Sequence, residues 1–174
     1  MVLIELFENQ IDHVNKITTT LTRPSNDFQI RIMLDSSEMG RGKTYTTLRL
    51  LQNLSQTYQQ PFKAIIIAGI SFQNVWTSLA ENYNIPILDV MTYQALAGRN
   101  NAFNHNYLQT VYVDGKPVIR YSQYLINLLR TTNILFIFDE AHAGKNRGTR
   151  VQEAIFQIAR AIYDSQSNSR GMLL

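Results

Sequence analysis

The chain has no cysteine, which excludes a disulfide framework and any zinc site built on thiolates, and with them the usual sign of a secreted protein. No apolar run approaches the roughly 20 residues that cross a bilayer. The opening segment Met1-Val2-Leu3-Ile4-Glu5-Leu6-Phe7-Glu8 lacks a basic stretch and meets acids at once, so it is not read as a signal peptide. A reducing intracellular compartment is expected, whether cytoplasm, nucleus or virion, with no membrane partner. There is no internal repeat and no long low-complexity segment. Strong charge of one sign is also missing: 16 basic against 13 acidic residues give +3 and a pI near 9.2. Eleven of the basic residues are Arg, including Arg147 and Arg150. That excess suits a polyanionic partner and equally an ordinary solvated basic face.

What is present fills one domain. A chain of 174 residues that is 45% hydrophobic has room for a sizeable core without staples. Leu3, Leu6, Phe7, Ile11, Val14, Ile17 and Leu21 recur at helical spacing and predict one helix over 3–21, ended by Arg23-Pro24-Ser25-Asn26-Asp27. A short apolar run over 30–34 then enters a glycine-containing loop, and a helix is expected over 43–58. Strands are expected at 64–68, 85–90, 133–138 and 171–174, with helices at 72–83, 92–97, 122–130 and 151–163. The run Ala64-Ile65-Ile66-Ile67-Ala68 is unbroken, as in a strand covered on both faces of a parallel sheet. Residues 98–106 read as an exposed loop and 111–121 as a β-hairpin with Asp114-Gly115 in the turn, so 98–121 is expected to be an insertion on the sheet's rim. Ser165 to Arg170 reads as a polar turn. The βα alternation predicts a three-layer α/β fold with a mainly parallel sheet. The apolar end Gly171-Met172-Leu173-Leu174 reads as the start of a buried strand, as in a fragment of a longer protein.

Two segments carry chemistry. In Ser37-Glu38-Met39-Gly40-Arg41-Gly42-Lys43-Thr44-Tyr45, the glycines let backbone N–H groups approach phosphate oxygens at a helix N-terminus, where partial positive charge already sits. Lys43 supplies a point charge to the β and γ phosphates, and the Thr44 hydroxyl an oxygen ligand to Mg²⁺. The full G-x-x-x-x-G-K-S/T pattern has glycine where Ser37 stands. About a hundred residues on, Ile134-Leu135-Phe136-Ile137-Phe138 runs into Asp139 and Glu140, placing two carboxylates at the C-terminal end of a buried strand, where open α/β sheets bind ligands. Asp139 is expected in the magnesium shell, and Glu140 is expected to polarise the attacking water. The joint reading is a site that binds a nucleoside triphosphate with Mg²⁺ and places a water to attack it.

Glu38-Met39-Gly40-Arg41-Gly42-Lys43-Thr44 together with Asp139-Glu140-Ala141-His142 resembles the first RecA-like lobe of superfamily 2 helicases and translocases. With Lys145 and Asn146 following, it is similar to the Swi/Snf-type DNA translocase branch, including large-DNA-virus relatives. The resemblance implies that Gln10, in Leu6-Phe7-Glu8-Asn9-Gln10, reads the adenine edge, and that His142 couples the nucleotide site to later motifs. It implies nucleic-acid contacts at Ser71, after the strand ending Ile67-Ala68-Gly69, and at Thr92 and Tyr93. Plainer readings stand beside these: Gln10 as an exposed helix residue, Trp76 in the core, Tyr93 as packing, Arg41 pointing to solvent, and His13 and His105 as surface or satisfied polar groups.

The resemblance further implies ATP hydrolysis coupled to movement on nucleic acid, duplex DNA first, with a second RecA-like lobe supplying arginines that stabilise the transferring phosphoryl group. The chain ends before a Ser-Ala-Thr-like element and before that lobe, so nucleotide binding with little turnover is expected of it. The alternatives are an RNA helicase, a restriction-type translocase subunit, an inactive scaffold or nucleic-acid-binding module, and a nucleotide kinase, which has no use for Asp-Glu-Ala-His at a strand end.

Overall fold

A computed structural model describes residues 3–23, 30–37, 40–98, 106–144 and 149–174. Five parallel strands form one sheet in the order β1-β7-β6-β2-β3, where β1 is Ile32–Leu34, β2 Phe62–Ile67, β3 Ile87–Met91, β6 Asn133–Phe138 and β7 Arg170–Leu173. A separate antiparallel pair joins β4 (Leu108–Val113) to β5 (Lys116–Tyr121). Helices α1 (Glu8–Thr22), α2 (Lys43–Thr57), α3 (Ile70–Asn82), α4 (Tyr93–Ala97), α5 (Gln123–Thr131) and α6 (Arg150–Asp164) fill the connections. Among the described residues, no helix is long and apolar enough to cross a membrane.

The central strands show why the sheet is covered twice. Successive side chains of a strand point to opposite faces. Ala64, Ile66 and Ala68 join Leu135, Ile137 and Trp76 in a core under α1, α2 and α3. Ile65 and Ile67 join Ile134, Phe136 and Phe138 in a second core under α4, α5 and α6. Burial on both faces is what the uninterrupted apolar runs require. The hairpin turns through Asp114 (φ 49°) and Gly115 (φ 74°), the two left-handed residues of a two-residue turn. Its β5 edge is sealed by α6: Glu153 Oε1 accepts from the Ile119 N–H at 3.1 Å, and Gln157 Oε1 from the Tyr121 N–H at 3.3 Å.

Two expectations need correction. The first helix begins at Glu8 instead of residue 3, because the Gln10 side chain accepts from the Phe7 N–H at 3.0 Å and fixes the helix start. Ile4 lies ahead of it in chain that is neither helix nor strand, buried, with its N–H on Gln52 Oε1 (3.3 Å) and its carbonyl on Arg49 Nη1 (2.9 Å). Leu3 is exposed and Leu6 half-buried, so their helical spacing marks no buried helix face, and Ile4 is the residue that enters the core here. Arg170 is the second case: it does not belong to the polar turn but opens β7, fully buried. Its guanidinium donates to carbonyls of Leu21 (2.9 Å), Asn168 (2.8 Å) and Ser169 (2.9 Å) and to the Tyr58 hydroxyl (2.5 Å), and it lies over the Tyr58 ring. Burial pulls its pKa below the ordinary arginine value. Four carbonyl and hydroxyl acceptors replace the missing water.

Candidate active site

The sheet brings the two predicted segments together at the C-terminal ends of its strands. Strand β1 ends at Leu34, and Asp35 continues the ladder with its N–H on the Leu173 carbonyl at 2.8 Å. The buried Asp35 carboxylate accepts from the Ser37 N–H at 2.9 Å and meets His13 Nε2 at 3.0 Å. The loop then turns at Gly40 (φ 79°) and at Gly42 (φ 76°), the residue that caps α2. Gly42 answers two demands. Its backbone is left-handed, and a Cβ there would lie 2.5 Å from Gln10 Nε2. That amide donates to the Arg41 carbonyl at 2.9 Å, so Gln10 clamps the glycine-containing loop from α1. Lys43, first residue of α2, reaches back across the loop and donates to the Ser37 carbonyl at 2.5 Å. Arg41 and Tyr45 are exposed. Glu38, Met39, Lys145, Asn146 and His105 lie outside the described residues.

On the other side, β6 ends at Phe138 and delivers two carboxylates into different settings. Asp139 is held by three elements: its N–H donates to the Ile67 carbonyl (2.9 Å), its Oδ2 accepts from Trp76 Nε1 (2.8 Å), and its carbonyl accepts from the Tyr93 hydroxyl (2.9 Å). Glu140 sits in left-handed backbone at φ 56°, a conformation that costs a non-glycine residue roughly 1–3 kcal/mol and persists where its surroundings impose it. Its Oε2 lies 2.9 Å from His142 Nδ1, and both side chains are open to solvent. The Ala141 N–H donates to the Leu174 carbonyl (2.8 Å) as the chain enters a 3₁₀ turn, Ala141–Gly144.

Ser37, Gly40, Gly42, Lys43, Thr44, Tyr45, Asp139, Glu140 and His142 line one cleft of about 880 Å³. Gln10 and Arg41 line a smaller one of about 330 Å³ beside it, with Asn9, His13 and Thr46. The donor set suits a magnesium polyphosphate: hard oxygens at Thr44 and Asp139, an ammonium at Lys43 that now rests on a backbone carbonyl, and a helix N-terminus opened by Gly42.

Ser71 is exposed in the first turn of α3, and Thr92 caps α4, its hydroxyl accepting from the Ala95 N–H at 3.0 Å. Tyr93 needs correction as a nucleic-acid contact. It is only 5% exposed, and its hydroxyl is given to Asp139, so it packs behind the cleft. Burial and both nearby carboxylates raise its pKa, keeping it a donor. Trp76 is buried as a core residue should be, yet its indole N–H reaches the acid expected to hold metal. Sequence reasoning missed that bond, and the Asp35–His13 pair with it. The aromatic after the β2 end was the available signal for the first; nothing marked the second.

Asp35 yields a pH prediction. Burial alone would push its carboxyl up, but the Ser37 N–H and hydroxyl and the His13 ring together hold it below the ordinary aspartate value. A depressed folded-state pKa adds stability that is fully present above the unfolded value near 3.8 and is lost as pH falls through the folded one. Urea midpoints measured downward from pH 6 should therefore fall below about pH 4. Asp35→Asn should give a visibly flatter acid limb.

Comparison with known proteins follows the same lines. The family described as type III restriction enzyme, res subunit, matches residues 3–165. A protein of Acanthamoeba polyphaga mimivirus, described as a putative ATP-dependent RNA helicase, is 26% identical over 156 residues, covering 83% of this chain and 26% of its own length. The Sulfolobus solfataricus SWI2/SNF2 ATPase core in complex with dsDNA superposes with a TM-score of 0.56 at 16% identity, covering 97% of this chain and 31% of that one. This chain thus spans about a quarter of the length of the curated relative it matches.

Proposed function

The chain belongs to the type III restriction enzyme res-subunit family and has the RecA-like fold of a superfamily 2 helicase lobe, and from that premise we propose that it binds ATP with Mg²⁺ and, within a longer polypeptide, couples hydrolysis to movement along nucleic acid. One observation carries this reading: Lys43, Thr44, Asp139 and Glu140, drawn from two segments a hundred positions apart, line the same cleft. The α2 N-terminus and Lys43 hold the phosphates. Thr44 and Asp139 hold the cation, which neutralises charge on the phosphate oxygens. Glu140 orients and polarises the attacking water, and His142, beside its carboxylate, is placed to relay its position. Gln10 offers its amide to the base from the smaller cleft.

The partner is nucleic acid, duplex DNA in the favoured reading, because the neighbouring SWI2/SNF2 core was captured on dsDNA. Contact falls to Ser71 and Thr92, at the two strand ends beside the cleft. An RNA substrate is the second reading, favoured by the description of the mimivirus relative. Residues 1–174 act as one ATP-binding lobe, with 98–121 an insertion upon it. The arginines that stabilise the phosphoryl group are assigned to a second lobe, so this lobe alone binds nucleotide with little turnover.

Nucleotide binding with and without Mg²⁺ tests the site. A charge-assisted contact is worth about 1.5–3 kcal/mol, so Lys43→Ala should weaken Mg²⁺-ADP binding about 10- to 100-fold. Among the described residues Lys43 bonds a loop carbonyl and no acidic group, so the melting temperature should stay close to wild type. Equal affinity in the two proteins would defeat the assignment.

A further inference from the structure

Trp76 is the single tryptophan of the chain and lies 63 positions from the residue it serves. Helix α3 leaves the end of β2 and carries Trp76 beneath the cleft, 1% exposed, with Nε1 at 2.8 Å from Asp139 Oδ2. From the next strand end, the Tyr93 hydroxyl takes the Asp139 carbonyl at 2.9 Å. The two donors come from separate elements and act on one residue. Together they fix the backbone and one carboxylate oxygen of Asp139.

The chemistry of the indole makes this more than packing. Its N–H only donates, so it always competes for the carboxylate oxygen it faces. An oxygen already accepting that bond is the poorer cation ligand, which leaves Asp139 one good oxygen. Single-oxygen coordination suits Mg²⁺, whose small octahedral shell keeps several waters and takes one or two carboxylates beside substrate phosphates. Ca²⁺ readily accepts both oxygens of one carboxylate. We propose that Trp76 is a positioning residue that holds Asp139 for one-oxygen coordination and so sets the preference of the site for Mg²⁺ over Ca²⁺. The inference rests on the site reading above.

The lone indole gives a readout independent of turnover. In wild-type protein, its ¹H–¹⁵N resonance should move when Mg²⁺ and ADP are added together and stay in place with ADP in chelator. Trp76→Phe should weaken the apparent Mg²⁺ affinity, measured through ADP binding, by about 10- to 100-fold, the usual effect of losing a group that orients a metal ligand. ADP affinity in chelator should be retained, and the Mg²⁺-to-Ca²⁺ affinity ratio should narrow. If the variant fails to melt cooperatively, the wild-type resonance decides by itself. Mg²⁺-dependent ADP binding with an unmoved indole, or a folded variant with wild-type Mg²⁺ affinity and ratio, overturns this inference alone. ADP binding indifferent to Mg²⁺ in wild type brings down the site reading as well.

Discussion

Glu140→Gln is expected to cut hydrolysis by about 10²- to 10⁴-fold, the range a positioned general base supplies, without loss of nucleotide affinity. The geometry separates the two effects. Asp139 is tied down by Ile67, Trp76 and Tyr93, whereas Glu140 lines the cleft and, among the described residues, is tethered by the 2.9 Å approach to His142. Gln has the same length, can keep a hydrogen bond to that ring, and meets the same left-handed backbone cost at φ 56°. Folding should therefore be unchanged while the basic oxygen is lost. Phosphate release is best measured in a polypeptide carrying both lobes, because the lobe alone is expected to turn over below about 1 s⁻¹. Undiminished release from the Gln variant would favour a role for the lobe as scaffold only.

Arg170→Leu is expected to lower folding stability by about 3 kcal/mol or more. The substitution leaves the carbonyls of Leu21, Asn168 and Ser169 and the Tyr58 hydroxyl without their donor. A buried acceptor stripped of its partner costs about 1–3 kcal/mol, and several fail together here. For a chain of this length that corresponds to a fall in melting temperature of roughly 6–12 °C. Arg170→Lys should recover little, since a single ammonium cannot span acceptors set around a planar fork. A melting temperature within a degree or two of wild type would show that water or neighbouring groups satisfy these acceptors instead.

Arg170 also shows where sequence reading stops. Serine and asparagine around it spell a polar turn, and no local pattern reveals that its acceptors are Leu21, 149 positions away, and Tyr58, 112 away. The same limit hid the bond between Trp76 and Asp139. By contrast the glycine-containing loop before α2, the strand ending in Asp139 and the βα alternation are written in contiguous residues, since backbone geometry and apolar periodicity dictate them locally. Their meeting in one cleft was inferable because a parallel sheet places all its loops of one kind at one end. The start of α1 was misjudged for a mixed reason: Leu3 and Leu6 fit a helix, but the Gln10 side chain decides where the turns begin.

Strand order has a consequence for how the molecule is born. Among the described residues β1 pairs only with β7, and β7 follows β2, β3 and β6 in chain order. A nascent polypeptide can zip β2, β3 and β6 into a stable nucleus while Ile32–Leu34 and the loop after it still wait for a neighbour. The long-range closure of residue 32 on residue 171 should then be among the slowest steps. Until it is made, the emerging chain holds a nearly finished sheet, while Leu34 to Ser37, one wall of the cleft, still lack the strand they rest on.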